Sequence, residues 1–173
     1  VDIEKALKVL CIGMNSANKL SIGDKARLDF LYGTIDFYKK IGDDVKAQAQ
    51  IRLLDEQLRA IEKAHGLSEM DIKTTAEILR QMSDLYCLPP PWNPERKALP
   101  FIRVVADNQP LRANQVKSSA YKKAEDYQLR AIAQYDKLSL GSKVEGHLAL
   151  ALWFRHYGQA KLEQEQKEQL SKL

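Results

Sequence analysis

Gln57-Leu58-Arg59-Ala60-Ile61 returns unchanged as Gln128-Leu129-Arg130-Ala131-Ile132, 71 residues further along a chain of 173. The likeness spreads outward from the pentapeptide. At the same offset Ala49 pairs with Ala120, Leu67 with Leu138, Ser68 with Ser139 and Tyr86 with Tyr157. Self-similarity at a long fixed spacing marks repeat arrays, in which each unit buries its apolar face against the next. The offset corresponds to two helical hairpins of roughly 34 to 36 residues each.

The periodicity around both copies is helical. Ala47, Ile51, Leu54, Leu58 and Ile61 follow a 4-3-4-3 spacing, which lines one face of a helix. Ala120, Ala124, Tyr127, Ala131 and Tyr135 do the same. No run of alternating β-branched residues competes, so the sequence predicts an all-α fold. Helix starts are expected at Ser21-Ile22-Gly23-Asp24, Ser68-Glu69-Met70-Asp71 and Ser142-Lys143-Val144-Glu145, where a serine precedes a carboxylate by three residues. Asn93-Pro94 and Gln109-Pro110 read as helix starts with proline in the first turn. Gly42, Gly66, Gly141 and Gly158 stand where helices should end or turn. The expected helices are 2–19, 23–41, 43–65, 69–86, 94–107, 111–138, 143–157 and 159–171, with Pro100 kinking or splitting the fifth. Leu88-Pro89-Pro90-Pro91-Trp92 reads as a rigid, extended connector at 89–92. It joins two related halves, about 1–88 and 93–173, of a single helical-repeat domain covering 1–173.

Phe37-Tyr38-Lys39-Lys40-Ile41-Gly42-Asp43 followed by Ala47 resembles the turn of a tetratricopeptide hairpin. Ala124-Glu125-Asp126-Tyr127 through Ala131-Ile132, then Leu140-Gly141 and the stretch Ala149 to Gly158, is similar to the longer hairpins of kinesin-light-chain-type repeats. In that pattern small alanines let helices approach and aromatics fill the layer between hairpins. The resemblance implies a right-handed superhelix of antiparallel hairpins, with about eight helices. It also implies a protein-interaction scaffold whose concave groove takes an extended peptide or a partner helix, with no chemistry of its own. Groove candidates are the polar members of the first helix in each pair: Tyr38, Lys39, Lys73, Arg80, Gln81 and Arg155. Basic residues there favour a ligand carboxylate.

Composition agrees with a folded, globular domain. Hydrophobic residues make up 45% and charged residues 29%, enough apolar material to build a core. The longest apolar stretch, His147 to Phe154, falls far short of the roughly 20 residues that span a bilayer. Cys11 and Cys87 are too few for a disulfide framework and are expected as reduced, mostly buried thiols, which points to an intracellular, cytoplasmic location. No signal peptide is visible, and the opening Val1 suggests a processed chain or a fragment of a longer protein. His65, His147 and His156 lack metal-ligand spacing, no glycine loop matches a phosphate cradle, and no base stands near either cysteine. No metal, cofactor or catalytic residue is therefore expected. His147, inside an apolar run, is expected as a satisfied core or boundary histidine.

Three other readings stay open, one of them an enzyme whose site an all-α fold assembles from scattered residues. Between Arg96 and Lys123 lie seven basic residues (Arg96, Lys97, Arg103, Arg112, Lys117, Lys122, Lys123) against Asp107 alone, a segment of +6 in a chain of +4. Such a stretch attracts phosphate, and Trp92, Phe101 and Tyr121 are candidates to stack on bases, which would make the chain a nucleic-acid binder. Alternatively the chain is a regulatory or sensory helical domain of a multidomain transcriptional or signalling protein.

Overall fold

The computed structural model describes residues 3–21, 24–87 and 119–173. Among these residues it is all-helical: α1 (Ile3–Ala17), α2 (Lys25–Lys40), α3 (Asp44–Lys63), α4 (Glu69–Cys87), α5 (Ser119–Tyr135), α6 (Leu140–His156) and α7 (Ala160–Leu170). The expected helix 94–107, the kink at Pro100, the 89–92 connector and both proline helix starts lie outside the described residues. The chain divides into two compact units, Val1–Ile78 and Leu79–Leu173. That division falls within α4, ahead of the proline-rich segment.

In the first unit α1 packs on α2 and α2 on α3. The stripe expected on α3 is the one that is buried: Ala47, Ile51, Leu54, Leu58 and Ile61. It meets the protein interior alongside Leu28, Leu31, Thr34 and Ile35 of α2. Asp24 caps α2, its side chain accepting from the Ala26 N–H at 2.8 Å. Ser68 and Asp71 form a reciprocal capping box: the Asp71 N–H donates to Ser68 Oγ at 3.1 Å and the Ser68 N–H to Asp71 Oδ2 at 3.2 Å.

In the second unit α6 packs against both α5 and α7. Tyr121, Ala124, Leu150, Trp153, Phe154 and Tyr157 form its core, with Tyr86, Ile132 and Leu162 packed against them. The Tyr121 ring stacks on Trp153 with centroids 5.3 Å apart. Two expectations fail here. α6 begins at Leu140, so Gly141 and the Ser142–Glu145 box lie inside the helix instead of starting it. Ser139 is the N-cap residue and makes no side-chain cap bond. The cause is the tight turn that closes α5: Lys137 and Leu138 donate back to Gln134 and Tyr135, so the chain re-enters a helix sooner. At Gly146 an added Cβ would lie 2.6 Å from the Tyr135 ring, so only glycine lets α5 and α6 approach this closely.

The helix pairs that contact most closely, α2–α3 and α6–α7, are joined by the same turn. Gly42 (φ 77°) and Gly158 (φ 66°) take the left-handed conformation that ends each first helix. The Gly42 N–H donates to Lys39 O at 3.2 Å and the Asp43 N–H to Tyr38 O at 2.9 Å. In the second unit the Gly158 N–H donates to Arg155 O at 3.0 Å and the Gln159 N–H to Phe154 O at 2.9 Å. Phe37-Tyr38-Lys39-Lys40-Ile41-Gly42-Asp43 thus matches Trp153-Phe154-Arg155-His156-Tyr157-Gly158-Gln159, residue for residue, at an offset of 116.

The pentapeptide repeat behaves differently. The second helices agree at the 71-residue offset: Ala76, Ile78, Leu79 and Met82 are buried, as are His147, Ala149, Leu150 and Trp153. The first helices do not. Buried Ile51, Leu54 and Leu58 correspond to buried Tyr121, Ala124 and Gln128, an offset of 70. One residue of slip turns a helix by about 100°. Consequently Leu58 is 0% exposed while its counterpart Leu129 is 46% exposed.

Candidate functional site

α6 carries apolar residues on more than one side, unlike an ordinary surface helix, and its charged residues are Lys143, Glu145 and Arg155. One side carries Leu150, Trp153 and Phe154 into the core. On another, Leu140, Val144 and Leu148 form a row at successive i+4 positions and remain 58%, 40% and 50% exposed. Such rows are the ridges by which helices interdigitate. This face was missed in the sequence because the stretch has no amphipathic contrast. The signal available was the i+4 spacing of Leu140, Val144 and Leu148, beside a second apolar set already sufficient for the core.

The groove candidates inferred from the tetratricopeptide resemblance are divided between the two units. Tyr38 and Lys39 end α2, and Lys73 belongs to the part of α4 in the first unit. Arg80, Gln81 and Arg155 belong to the second. Arg155 staples α6 to α7: its Nε donates to Glu163 Oε1 at 2.8 Å and its Nη2 lies 2.7 Å from the same oxygen. Lys167 Nζ reaches that oxygen at 2.6 Å. Hydrogen bonds from Arg155 and Lys167 hold the Glu163 carboxyl below its ordinary range. Lys39 holds the same turn position in the first unit, where desolvation lowers its pKa against the opposing pull of Asp44 and Asp36.

Tyr38 is half-buried and lines a cleft of about 290 Å³ with Leu10, Cys11, Met14 and Asn15 of α1, Thr34 of α2 and Gln50 of α3. Lys46 Nζ stands 5.6 Å from the centre of the Tyr38 ring. Cys11 is a free, exposed thiol, contrary to the expectation of burial, because α1 turns its Lys8-Val9 and Cys11-Ile12 positions outward. The Cys87 side chain lies outside the described set.

Of the basic stretch, Arg96, Lys97, Arg103, Arg112 and Lys117 lie outside the described residues, as do Trp92 and Phe101. Lys122 and Lys123 are exposed on α5, and Lys123 Nζ lies 5.4 Å over the Tyr86 ring. Tyr121, 5% exposed, belongs to the core and offers no face for a base. His147 is the satisfied boundary histidine expected: Nδ1 is 2.9 Å from Gln166 Oε1 and Nε2 is 3.1 Å from Asp136 Oδ1. It ties the α5–α6 turn and α7 to α6. Among the described residues no group of three or more His, Cys, Asp or Glu side chains is placed to hold a metal ion. No described helix is long and apolar enough to cross a membrane.

No family model matches this sequence, and no curated protein or solved structure does so either.

Proposed function

We propose that this chain is a non-enzymatic, tetratricopeptide-like interaction scaffold that binds a peptide or helix segment of another protein. The uncovered Leu140-Val144-Leu148 row on α6 carries this reading. Contiguous exposed apolar surface on a folded chain marks a contact site. α6 is held by neighbours on two sides, so its third side is a rigid platform. Covering the exposed halves of three such side chains stabilises a complex by about 1 kcal/mol each, half the 1.5–3 kcal/mol of full burial. Association costs at least 4 kcal/mol of lost freedom. A partner therefore needs further contacts beside this row, which favours an amphipathic helix of several turns over a single anchoring residue.

The test is selection of displayed 20-residue peptides on the intact chain. Enriched peptides should be amphipathic and should bind the Val144→Glu and Leu148→Lys variants at least about tenfold more weakly, a loss of roughly 1.4 kcal/mol. Both positions are exposed, so melting temperature and circular dichroism should stay at wild-type values. A selection that enriches nothing counts against the scaffold, and so does one whose peptides ignore both substitutions.

A further inference from the structure

We propose that the helix docking on the α6 row carries an acidic residue beyond one end of its apolar stripe, which bridges Arg155 of α6 and Lys167 of α7. The inference rests on the scaffold reading above and names the charge of the partner. Two cations and one carboxylate meet at this corner of the second unit. Arg155 Nη2 lies 2.7 Å and Lys167 Nζ 2.6 Å from Glu163 Oε1. Their hydrogen bonds hold the Glu163 carboxyl below its ordinary range, so it is ionised at neutral pH. The cluster therefore carries a surplus positive charge. The Glu163 side chain is 13% exposed, against 55% for Arg155 and 47% for Lys167. The anion is turned inward and the unbalanced charge faces solvent. A guanidinium has five N–H donors and an ammonium three, and one carboxylate oxygen engages only part of that set.

Helix geometry ties this cluster to the apolar row. Arg155 follows Val144 by eleven residues, which returns it to within about 20° of Val144 about the helix axis. It follows Leu148 by seven residues, about 10 Å farther along that axis. The other charges near the row cancel or are engaged elsewhere. Lys143 and Glu145 stand about 100° to either side of Val144 and offset each other. At the Leu140 end, Asp136 Oδ1 meets His147 Nε2 at 3.1 Å and Lys137 Nζ donates to Gln134 Oε1 at 2.9 Å. His156 sets its ring edge-on to Tyr157. On α7 Lys161 pairs with Glu165, and Glu168 accepts from Gln164. The row is thus balanced at its Leu140 end and cationic at its Arg155 end. A helix lying along it with apolar residues at i, i+4 and i+8 brings to Arg155 the side chain seven residues beyond one end of that set. Bonds from Arg and Lys to a carboxylate are roughly twice as strong as those to a neutral acceptor, and a cation there is repelled.

The experiment selects displayed helical peptides of about 24 residues, long enough to reach Arg155 from either end of the row, on the full chain. Leucine is fixed at i, i+4 and i+8, and glutamate, glutamine or lysine is allowed seven residues beyond each end. The remaining surface is randomised. Glutamate should be recovered over lysine at one of the two end positions, and synthetic peptides differing only there should differ about three- to tenfold in Kd. Arg155→Gln and Lys167→Gln each leave Glu163 with one cation, a balanced pair, and each should cut the difference to less than about twofold. Glu163→Gln removes the anion of the cluster, so there the preference for glutamate should rise, which loss of a purely structural contact would not cause. Intrinsic preferences of glutamate for a helix N-terminus are common to all four chains and cancel. Circular dichroism verifies that the variants are folded. Peptides that bind the row equally with glutamate or lysine overturn the proposal and leave the scaffold reading standing. A preference that survives Arg155→Gln and Lys167→Gln, or fails to rise in Glu163→Gln, also overturns it. A selection that enriches nothing overturns both.

Discussion

Truncating the leucine in each copy of the pentapeptide separates a repeat of sequence from a repeat of packing. Leu58 is 0% exposed, in the middle of the buried α3 stripe, whereas Leu129 is 46% exposed on α5. Leu58→Ala removes buried methyl groups and leaves a cavity, at a cost of about 2–5 kcal/mol. Leu129→Ala forfeits only part of a transfer term and opens no cavity, so about 0.5–1 kcal/mol is expected. The difference is a large share of the roughly 5–15 kcal/mol that holds a domain folded. The alanine of the same pentapeptide reverses the order. Ala131 is 1% exposed, so Ala131→Leu should overpack the second unit by about 1–3 kcal/mol. Ala60 is exposed, and Ala60→Leu should lie within about 0.5 kcal/mol of wild type. Urea titrations followed by far-ultraviolet circular dichroism read all four values. This crossed pattern cannot come from one unit being more fragile than the other, because each unit holds one sensitive and one tolerant position. If Leu58→Ala and Leu129→Ala were equally damaging, the one-residue rotation of the buried face would be wrong.

Leu58→Asp should abolish the cooperative transition of the first unit, since it buries a charge without a partner, while Arg59→Asp on the exposed side should remain folded; matching melting curves would refute the assigned face. Gly42→Ala and Gly158→Ala should each cost about 1–2 kcal/mol, because alanine resists the left-handed backbone both turns require; a neutral result in chemical denaturation would discount the shared turn. Gly146→Ala should be destabilising by about 1–3 kcal/mol through its clash with the Tyr135 ring, and a small upward shift in melting temperature would contradict that contact. Glu163 titrates lower in the folded chain than in the unfolded one, so its stabilisation is present above its ordinary pKa of 4.5 and lost as pH falls below it. From about pH 5 to about pH 3 the wild type should therefore lose more stability than Glu163→Gln, and parallel pH profiles would exclude the Arg155–Glu163–Lys167 staple.

Helix type and the α3 face were readable because α3 is amphipathic: five apolar residues at 4-3-4-3 spacing leave one orientation that buries them all. The α2–α3 turn was readable for a similar local reason, since Gly42 must follow the helix and Asp43 can cap the next one. On α5 the pattern was partly right. Ala124, Tyr127, Ala131 and Tyr135 are buried as expected, but Gln128 and Gln134 join them, which no apolar periodicity reveals. The start of α6 was misplaced because Ser142-Glu145 satisfies a capping pattern that can equally lie within a helix. The role of Arg155 was unreadable because its partner Glu163 lies on the next helix, eight residues away across a turn. The cleft beside Tyr38 has no sequence signal, because its lining comes from three helices.

The two kinds of repetition in this chain have different physical weight. QLRAI matches in letters at 71 residues, yet its copies present different faces to the interior, so identity there does not follow from packing. The turns at Gly42 and Gly158 share only one letter in seven, yet they repeat every backbone hydrogen bond of the helix end. Turn geometry constrains backbone conformation at one glycine and asks of its neighbours only size and polarity, so aromatic–aromatic–basic–basic–apolar–Gly–polar can be spelled many ways. The hairpin it produces then decides what α6 must do. With α7 folded back on one side and α5 on another, an apolar row on a remaining side of the helix stays about half exposed. That row is Leu140, Val144 and Leu148, and its exposure follows from the turn as much as from the residues themselves.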